Sequence, residues 1–298
     1  MNKYPIHKTN NLPISNERYR CLLCKGEEIK PLYEKNNCQV VKCKRCNFIW
    51  VPSIPPIIEE DFYEKEYFCS DREEIGYKNY IGDEQVSWKI RKSKDYYWHQ
   101  QDYVSLVQRF KEKGKLLDIG CASGFFLKKA LERGFKTVGV EISKYASIYG
   151  RENFGLQIFN GTLKEANFKN EEFDVITMWH VLEHLIDPEN EIAEVHRILK
   201  KDGYLFIEVP NIMGLGGRLK GVNWKSLRLP EHLNHFSPDT LQLFIENKGF
   251  KTQEVSTPTD DPKKRGKFEK FAKIVFYFMR KLKLGGNVRL VCKKKADQ

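Results

Sequence analysis

At 298 residues, with 41% hydrophobic and 13% aromatic side chains, the chain can build a sizeable core and is neither disordered nor fibrous in class. The 51 basic against 40 acidic residues leave a net charge of +11, but the lysines are scattered among glutamates, so basicity alone does not define a polyanionic partner. No apolar run approaches the roughly 18 residues of a membrane span and the N-terminal stretch lacks a signal-peptide core, so a cytoplasmic setting is expected.

Residues 1–18 are polar and aperiodic. Eight cysteines without a secretion signal argue against a disulfide framework, and four of them read Cys21-x-x-Cys24 and, 18 residues later, Cys43-x-x-Cys46. Each C-x-x-C turn aims two thiolates at one point, and two such turns complete a tetrahedral zinc site. With short strands expected at 29–33 and 38–42, residues 1–55 read as a zinc ribbon with a structural zinc on Cys21, Cys24, Cys43 and Cys46. So small a unit has little core, and the metal is expected to supply much of its folding free energy. Cys38 is left over as a packed or exposed thiol. Ile54-Pro55-Pro56 reads as a rigid linker, and residues 56–114, dense in Tyr and Trp with helical spacing after Gln85, as N-terminal helices beside the main domain.

The main domain, 115–298, opens with KLLDIGCASGFFL. Leu116, Leu117 and Ile119 suit a buried parallel strand, Gly120 to Gly124 a tight small-residue turn, and Phe126, Leu127, Ala130 and Leu131 one face of a helix. Strand, turn and helix bring a nucleotide-type ligand close to backbone and to a helix N-terminus. A second strand ends on Glu141, 23 residues after Asp118, placed to accept hydrogen bonds from ribose hydroxyls. Ser143 starts a helix that Gly150 or Gly155 ends; strands follow at 156–159 and 173–178, then a helix over 188–200 and a strand over 204–209. This alternation is the βαβ signature, with helices on both faces of a parallel sheet. Trp179-His180-Val181-Leu182-Glu183-His184 falls at a strand's C-terminal end, where open α/β sheets bind ligands. Residues 211–236 read as one long functional loop, Ser237-Pro238 as a helix start, 250–256 as a sixth strand and 287–292 as a seventh, antiparallel one. Between the last two, 263–286 form a basic amphipathic helix suited to packing on its own domain, to a membrane surface or to a partner.

The turn does not give the dinucleotide fingerprint G-x-G-x-x-G. It resembles the D-x-G-x-G-x-G loop of class I S-adenosylmethionine-dependent methyltransferases, with Ala122 in place of the middle glycine, a substitution that puts a left-handed backbone there in question. With the double C-x-x-C, VGVEIS at 138–143, FDVITMWHVLEHLIDP at 173–188, LKKDGYLFIEVPN at 199–211 and EHLNHFSPDTL at 231–241, the chain resembles the zinc-ribbon-bearing group of that family found in bacterial surface-glycan and natural-product clusters. The resemblance implies a Rossmann-like α/β sheet with an antiparallel last strand. It places Asp118, Gly120, Cys121, Ala122 and Gly124 around the methionine part of S-adenosylmethionine, Glu141 on the ribose, Ile142, Thr162 and Leu163 about the adenine, and Trp179 and His180 near the sulfonium. The expected reaction is O-methylation of a sugar hydroxyl on a small molecule, sugar nucleotide or glycan, with His180, His184, His232 or His235 as general base. Similarity to quinone-pathway O-methyltransferases would link this segment to a divalent metal, but His180 stands where one of their carboxylates would be. Two competing readings are an RNA methyltransferase gripping RNA with ribbon and basic surface, and a zinc-dependent interaction protein with an inactive fold. Peripheral contact with a membrane or lipid-linked substrate is expected through 266–284, and nucleic acid is not the expected partner.

Overall fold

The computed structural model describes residues 19–53, 103–258, 278–279 and 281–295. The expected linker and most of the aromatic N-terminal helices (54–102), and most of the amphipathic helix (259–277 and 280), lie outside the described residues.

The main sheet has seven strands. β4 (Lys115–Ile119), β5 (Lys136–Glu141), β6 (Ile158–Asn160), β7 (Phe173–Trp179) and β8 (Leu199–Pro210) are parallel; β11 (Asn287–Lys294) runs antiparallel between β8 and β10 (Phe250–Ser256). The spatial order is β10-β11-β8-β7-β4-β5-β6, so the chain leaves β4 in one direction through β5 and β6 and in the other through β7 and β8. The crevice between β4 and β7 is therefore the topological switch point. Alternate residues of the central strands serve opposite faces. Leu117, Ile176 and Ile207 pack with α4 (Pro188–Ile198) and α6 (Pro238–Glu246), whereas Leu116, Val175 and Phe206 pack with α1 (Tyr103–Gln108) and α2 (Phe125–Glu132). Both faces are covered, as a parallel sheet requires.

Some boundaries differ from expectation. α3 (Lys144–Phe154) runs through Gly150 and ends at Gly155, φ 64°; Gly150 is there for close approach, because a Cβ would sit 2.9 Å from Ser123 O. β8 begins at Leu199, and the turn expected at 201–203 is an irregularity inside it with Asp202 at φ 62°. The 211–236 loop is also more structured than its glycines suggest. It holds α5 (Leu215–Lys220), two 3-10 turns and the short strand β9 (Asn234–His235).

β9 belongs to the second sheet. β1 (Ile29–Lys35), β2 (Cys38–Cys43) and β3 (Ile49–Trp50) form an antiparallel meander, and β3 pairs with β9 through Ile49↔His235 and Trp50↔Asn234. Phe48 and Trp50 are fully buried, Phe48 lies 5.3 Å from the Phe236 ring, and both belong to the same core as α4 and α6. Each such buried aromatic contributes roughly 1.5–3 kcal/mol. The cysteine unit thus takes part of its stability from the main domain, and not from a metal alone. Cys38 is a packed thiol, 1% exposed.

Candidate active site

The turn after β4 takes its shape from three left-handed residues, Gly120 (φ 66°), Ala122 (φ 48°) and Gly124 (φ 78°). Ala122 adopts the very conformation its identity put in question, at a cost of about 1–2 kcal/mol. Glu141 compensates: its Oε2 accepts the Ala122 N–H at 2.7 Å and its Oε1 the Ser143 N–H at 2.9 Å. One buried carboxylate therefore ties the turn after β4 to the turn after β5. Gly124 cannot be replaced freely, since a Cβ would meet Leu156 Cδ1 at 2.4 Å. Asp118 is 3% exposed and bonds Thr177 Oγ1 at 2.6 Å. Burial pushes its carboxyl up to about 8; the Thr177 bond opposes this and the Glu141 charge adds to it.

The other cofactor candidates gather at the same ends of β5, β6 and β7 but differ in what they present. Ile142 is 40% exposed beside Glu141. Thr162 spends its N–H and hydroxyl on Glu165 Oε2, at 2.7 and 2.8 Å, and Leu163 is sunk in the core. Cys121 is buried with its thiol toward β5, where a Cβ on Gly139 would touch it at 2.5 Å, and its N–H and C=O are spent on Val140 O and Gly124 N–H. Trp179 packs 4.5 Å from Tyr103 and 5.7 Å from Phe126, and its buried Nε1 has no hydrogen-bond partner among the described residues; nor has Ser123 Oγ. Orphaned buried polar atoms beside an exposed aliphatic and a braced carboxylate suit a ligand with polar and apolar parts, and S-adenosylmethionine is such a ligand.

The four histidine candidates do not share one role. His180, at φ 57°, sits between two carboxylates: Nδ1 lies 3.3 Å from Glu183 Oε1 and Nε2 3.7 Å from Glu208 Oε1. Burial disfavours its charge, but the hydrogen bonds and charges of Glu183 and Glu208 outweigh that and raise its pKa to about 10. His184 and His232 meet edge to face at 4.6 Å, with Nδ1 atoms on Glu231 O (3.1 Å) and Ser226 O (2.8 Å). Burial lowers the pKa of both, with Arg228 adding to the effect. Glu183, His184 and His232 each bring a donor atom within 4.8 Å of the others, a set able to hold a cation, and Glu183 Oε2 is buried with no partner among the described residues. His235 is separate. It lies in β9 against Ile49, its Nε2 buried, and burial lowers its pKa to about 4.

One group escaped sequence reasoning. Glu208, fully buried in β8, faces Arg289 of β11 across the ladder. Arg289 Nε and Nη2 both reach its Oε2 at 2.6 Å, Asn287 Nδ2 donates to Oε1 at 2.8 Å and the Tyr103 hydroxyl at 3.3 Å. The guanidinium also lies 4.9 Å from the Tyr103 ring centre. The signal was an acid and a base each embedded in an otherwise apolar strand, FIEV and NVRLV.

In the antiparallel unit, Cys21 Sγ lies 3.4 Å from Cys46 Sγ and Cys24 Sγ 3.6 Å from Cys43 Sγ. Tetrahedral zinc with Zn–S near 2.3 Å sets sulfurs about 3.8 Å apart, so the donor set fits that ion.

Sheet order, switch-point crevice and braced turn define a class I S-adenosylmethionine-dependent methyltransferase domain. The chain belongs to the methyltransferase-domain family, whose model matches residues 97–255. It is 25% identical over 173 residues to a ubiquinone biosynthesis O-methyltransferase of Saccharophagus degradans, covering 54% of this chain and 73% of that one. The similar enzyme of Glaesserella parasuis is 26% identical over 157 residues, covering 47% of this chain and 66% of that one. In fold it is similar to a SAM-dependent methyltransferase of Archaeoglobus fulgidus (TM-score 0.51, 21% identity, 71% of this chain and all of that one). A complex of the Haloferax volcanii Trm112 activator and a methyltransferase also matches (TM-score 0.55, 16% identity, 72% and 98% covered). Among the described residues no helix is long and apolar enough to cross a membrane.

Proposed function

We propose that the chain methylates a hydroxyl of a small molecule, sugar nucleotide or glycan unit, with S-adenosylmethionine as donor and a structural zinc in the four-cysteine knuckle. The observation that carries the reading is the turn after β4, held by Glu141 at the switch point of the sheet. Bound there, S-adenosylmethionine supplies an electrophilic methyl on a sulfonium that departs as a neutral thioether, so alignment provides much of the rate. Gly120 to Gly124 offer backbone to the methionine part, Ile142 apolar surface to the adenine, and Glu141, which braces the turn, a carboxylate to the ribose hydroxyls. Trp179, held by Tyr103 and Phe126, walls the methionine end.

A hydroxyl must lose its proton as oxygen attacks. His180, kept protonated by its two carboxylates, serves as a fixed positive group; His184, kept neutral by burial and backed by His232, is the base. The hydroxyl class is favoured by the O-methyltransferase relatives. The RNA reading loses weight because the ribbon's third strand is spent on β9. The inactive-fold reading loses weight because the turn keeps its full bracing. Calorimetry with S-adenosylmethionine tests the assignment: wild type binds, and Glu141→Ala binds at least tenfold more weakly. Unchanged affinity in that variant refutes it.

A further inference from the structure

α5 and the segment 281–284 adjoin: the Leu215 N–H donates to Leu284 O at 3.0 Å, and Asn211 Nδ2 donates to Lys283 O at 3.2 Å and Gly285 O at 2.9 Å. Leucines stand out from this seam. Leu215 and Leu219, one turn apart on α5, are 39% and 76% exposed, and Leu282 is 64% exposed. An isolated exposed leucine needs no explanation, but three on adjoining segments form an apolar outcrop.

Basic side chains predominate on the two segments that carry the outcrop. Residues 211–230 contain Arg218, Lys220, Lys225 and Arg228 and no Asp or Glu, and residues 278–286 contain Arg280, Lys281 and Lys283 and again no acid. The acids that answer them come from outside: Glu231 on Arg228 at 2.6 Å and Asp239 on Lys283 at 3.4 Å. We propose that α5 together with residues 281–284 is a docking face for an anionic lipid surface. Leucines to enter the interfacial layer and cations to meet phosphate headgroups are what such a surface rewards. A nucleic acid would use the cations but gain nothing from leucines in water; Phe278, 53% exposed, would serve either occupant, and Trp224 is 7% exposed and packed in the core. The face stands whatever acceptor is methylated.

The test is vesicle co-sedimentation of the full chain, comparing phosphatidylcholine vesicles with mixed phosphatidylcholine–phosphatidylglycerol vesicles. The wild type sediments with the anionic vesicles, more weakly as salt rises. Two paired variants at exposed positions, Leu219→Glu with Leu282→Glu and Arg218→Glu with Lys220→Glu, each lower partitioning at least tenfold while circular dichroism and S-adenosylmethionine affinity stay unchanged. No wild-type binding, equal binding to both vesicle types, or leucine variants that bind like wild type overturn the proposal. So does a response of the charge variants alone accompanied by tight binding of an RNA oligomer, which would make the face a polyanion site.

Discussion

Arg289→Met isolates the pair beneath the site. Glu208 is fully buried, and Arg289, itself only 13% exposed in its side chain, brings two nitrogens to one carboxylate oxygen at 2.6 Å. Removing the guanidinium leaves a buried carboxylate short of its main partner, for which the loss is about 3–5 kcal/mol. At roughly 2–4 °C per kcal/mol for a domain of this size, that lowers Tm by about 10 °C. The loss carries a pH signature. In the wild type, burial alone would raise the Glu208 carboxyl, but His180 and Arg289 bring it down to about 2. A depressed carboxyl stabilises above its unfolded value of about 4.5 and loses that contribution only as pH falls toward 2. Without Arg289 that advantage shrinks, so the variant's deficit is largest near pH 7–8 and narrows toward pH 4, where protonation spares the buried charge. Urea unfolding of both proteins across this range reads the difference directly. Glu208→Met with Arg289→Met should recover most of the stability, because two well-packed apolar groups can replace a buried ion pair at little cost. A single-variant loss under about 1 kcal/mol, or a double variant no better than the single, refutes the account. Because Tyr103 touches Glu208, Arg289 and Trp179, the single variant should also weaken S-adenosylmethionine binding.

Two further expectations concern the turn and the knuckle. Ala122→Gly relieves a left-handed alanine and should leave stability unchanged or raise it by up to about 1 kcal/mol, whereas Gly124→Ala should cost about 2 kcal/mol or more from strain and the Leu156 contact. Thermal unfolding decides, and a stabilised Gly124→Ala would contradict the reading of the turn. Chelation of zinc or Cys43→Ser should expose the 211–236 segment as well as the ribbon, because β3 and β9 share a ladder. Limited proteolysis should then cut near residues 211–236, and cuts confined to residues 19–53 would count against the coupling.

The sheet was legible because buried parallel strands are written as short, mainly apolar runs, and the antiparallel close at 287–292 carried the same signature. The cofactor turn was legible from its small residues, yet sequence alone left open whether Ala122 could turn left-handed. The answer lay in a hydrogen bond to Glu141, nineteen positions away. Long-range polar pairing hid the rest. Glu208 and Arg289 each look like an interruption of an apolar strand until the ladder sets them opposite one another. Likewise β9 is two residues long and has no pattern of its own; only Ile49 and Trp50 make it a strand.

That hidden pairing changes what the ribbon is for. A zinc knuckle beside an enzyme is readily taken as a separate binding module, but here its third strand and its buried Phe48 and Trp50 extend the enzyme's own core. The strand they grip lies a few residues after Glu231 and His232, which contact His184, and the Leu233 and Asn234 N–H groups both donate to Glu183 O at 2.8 and 3.0 Å. The knuckle thus holds one side of a short segment whose other side holds the histidine cluster. The four-cysteine unit is thus coupled to the histidine cluster through β9 and the backbone of Glu183.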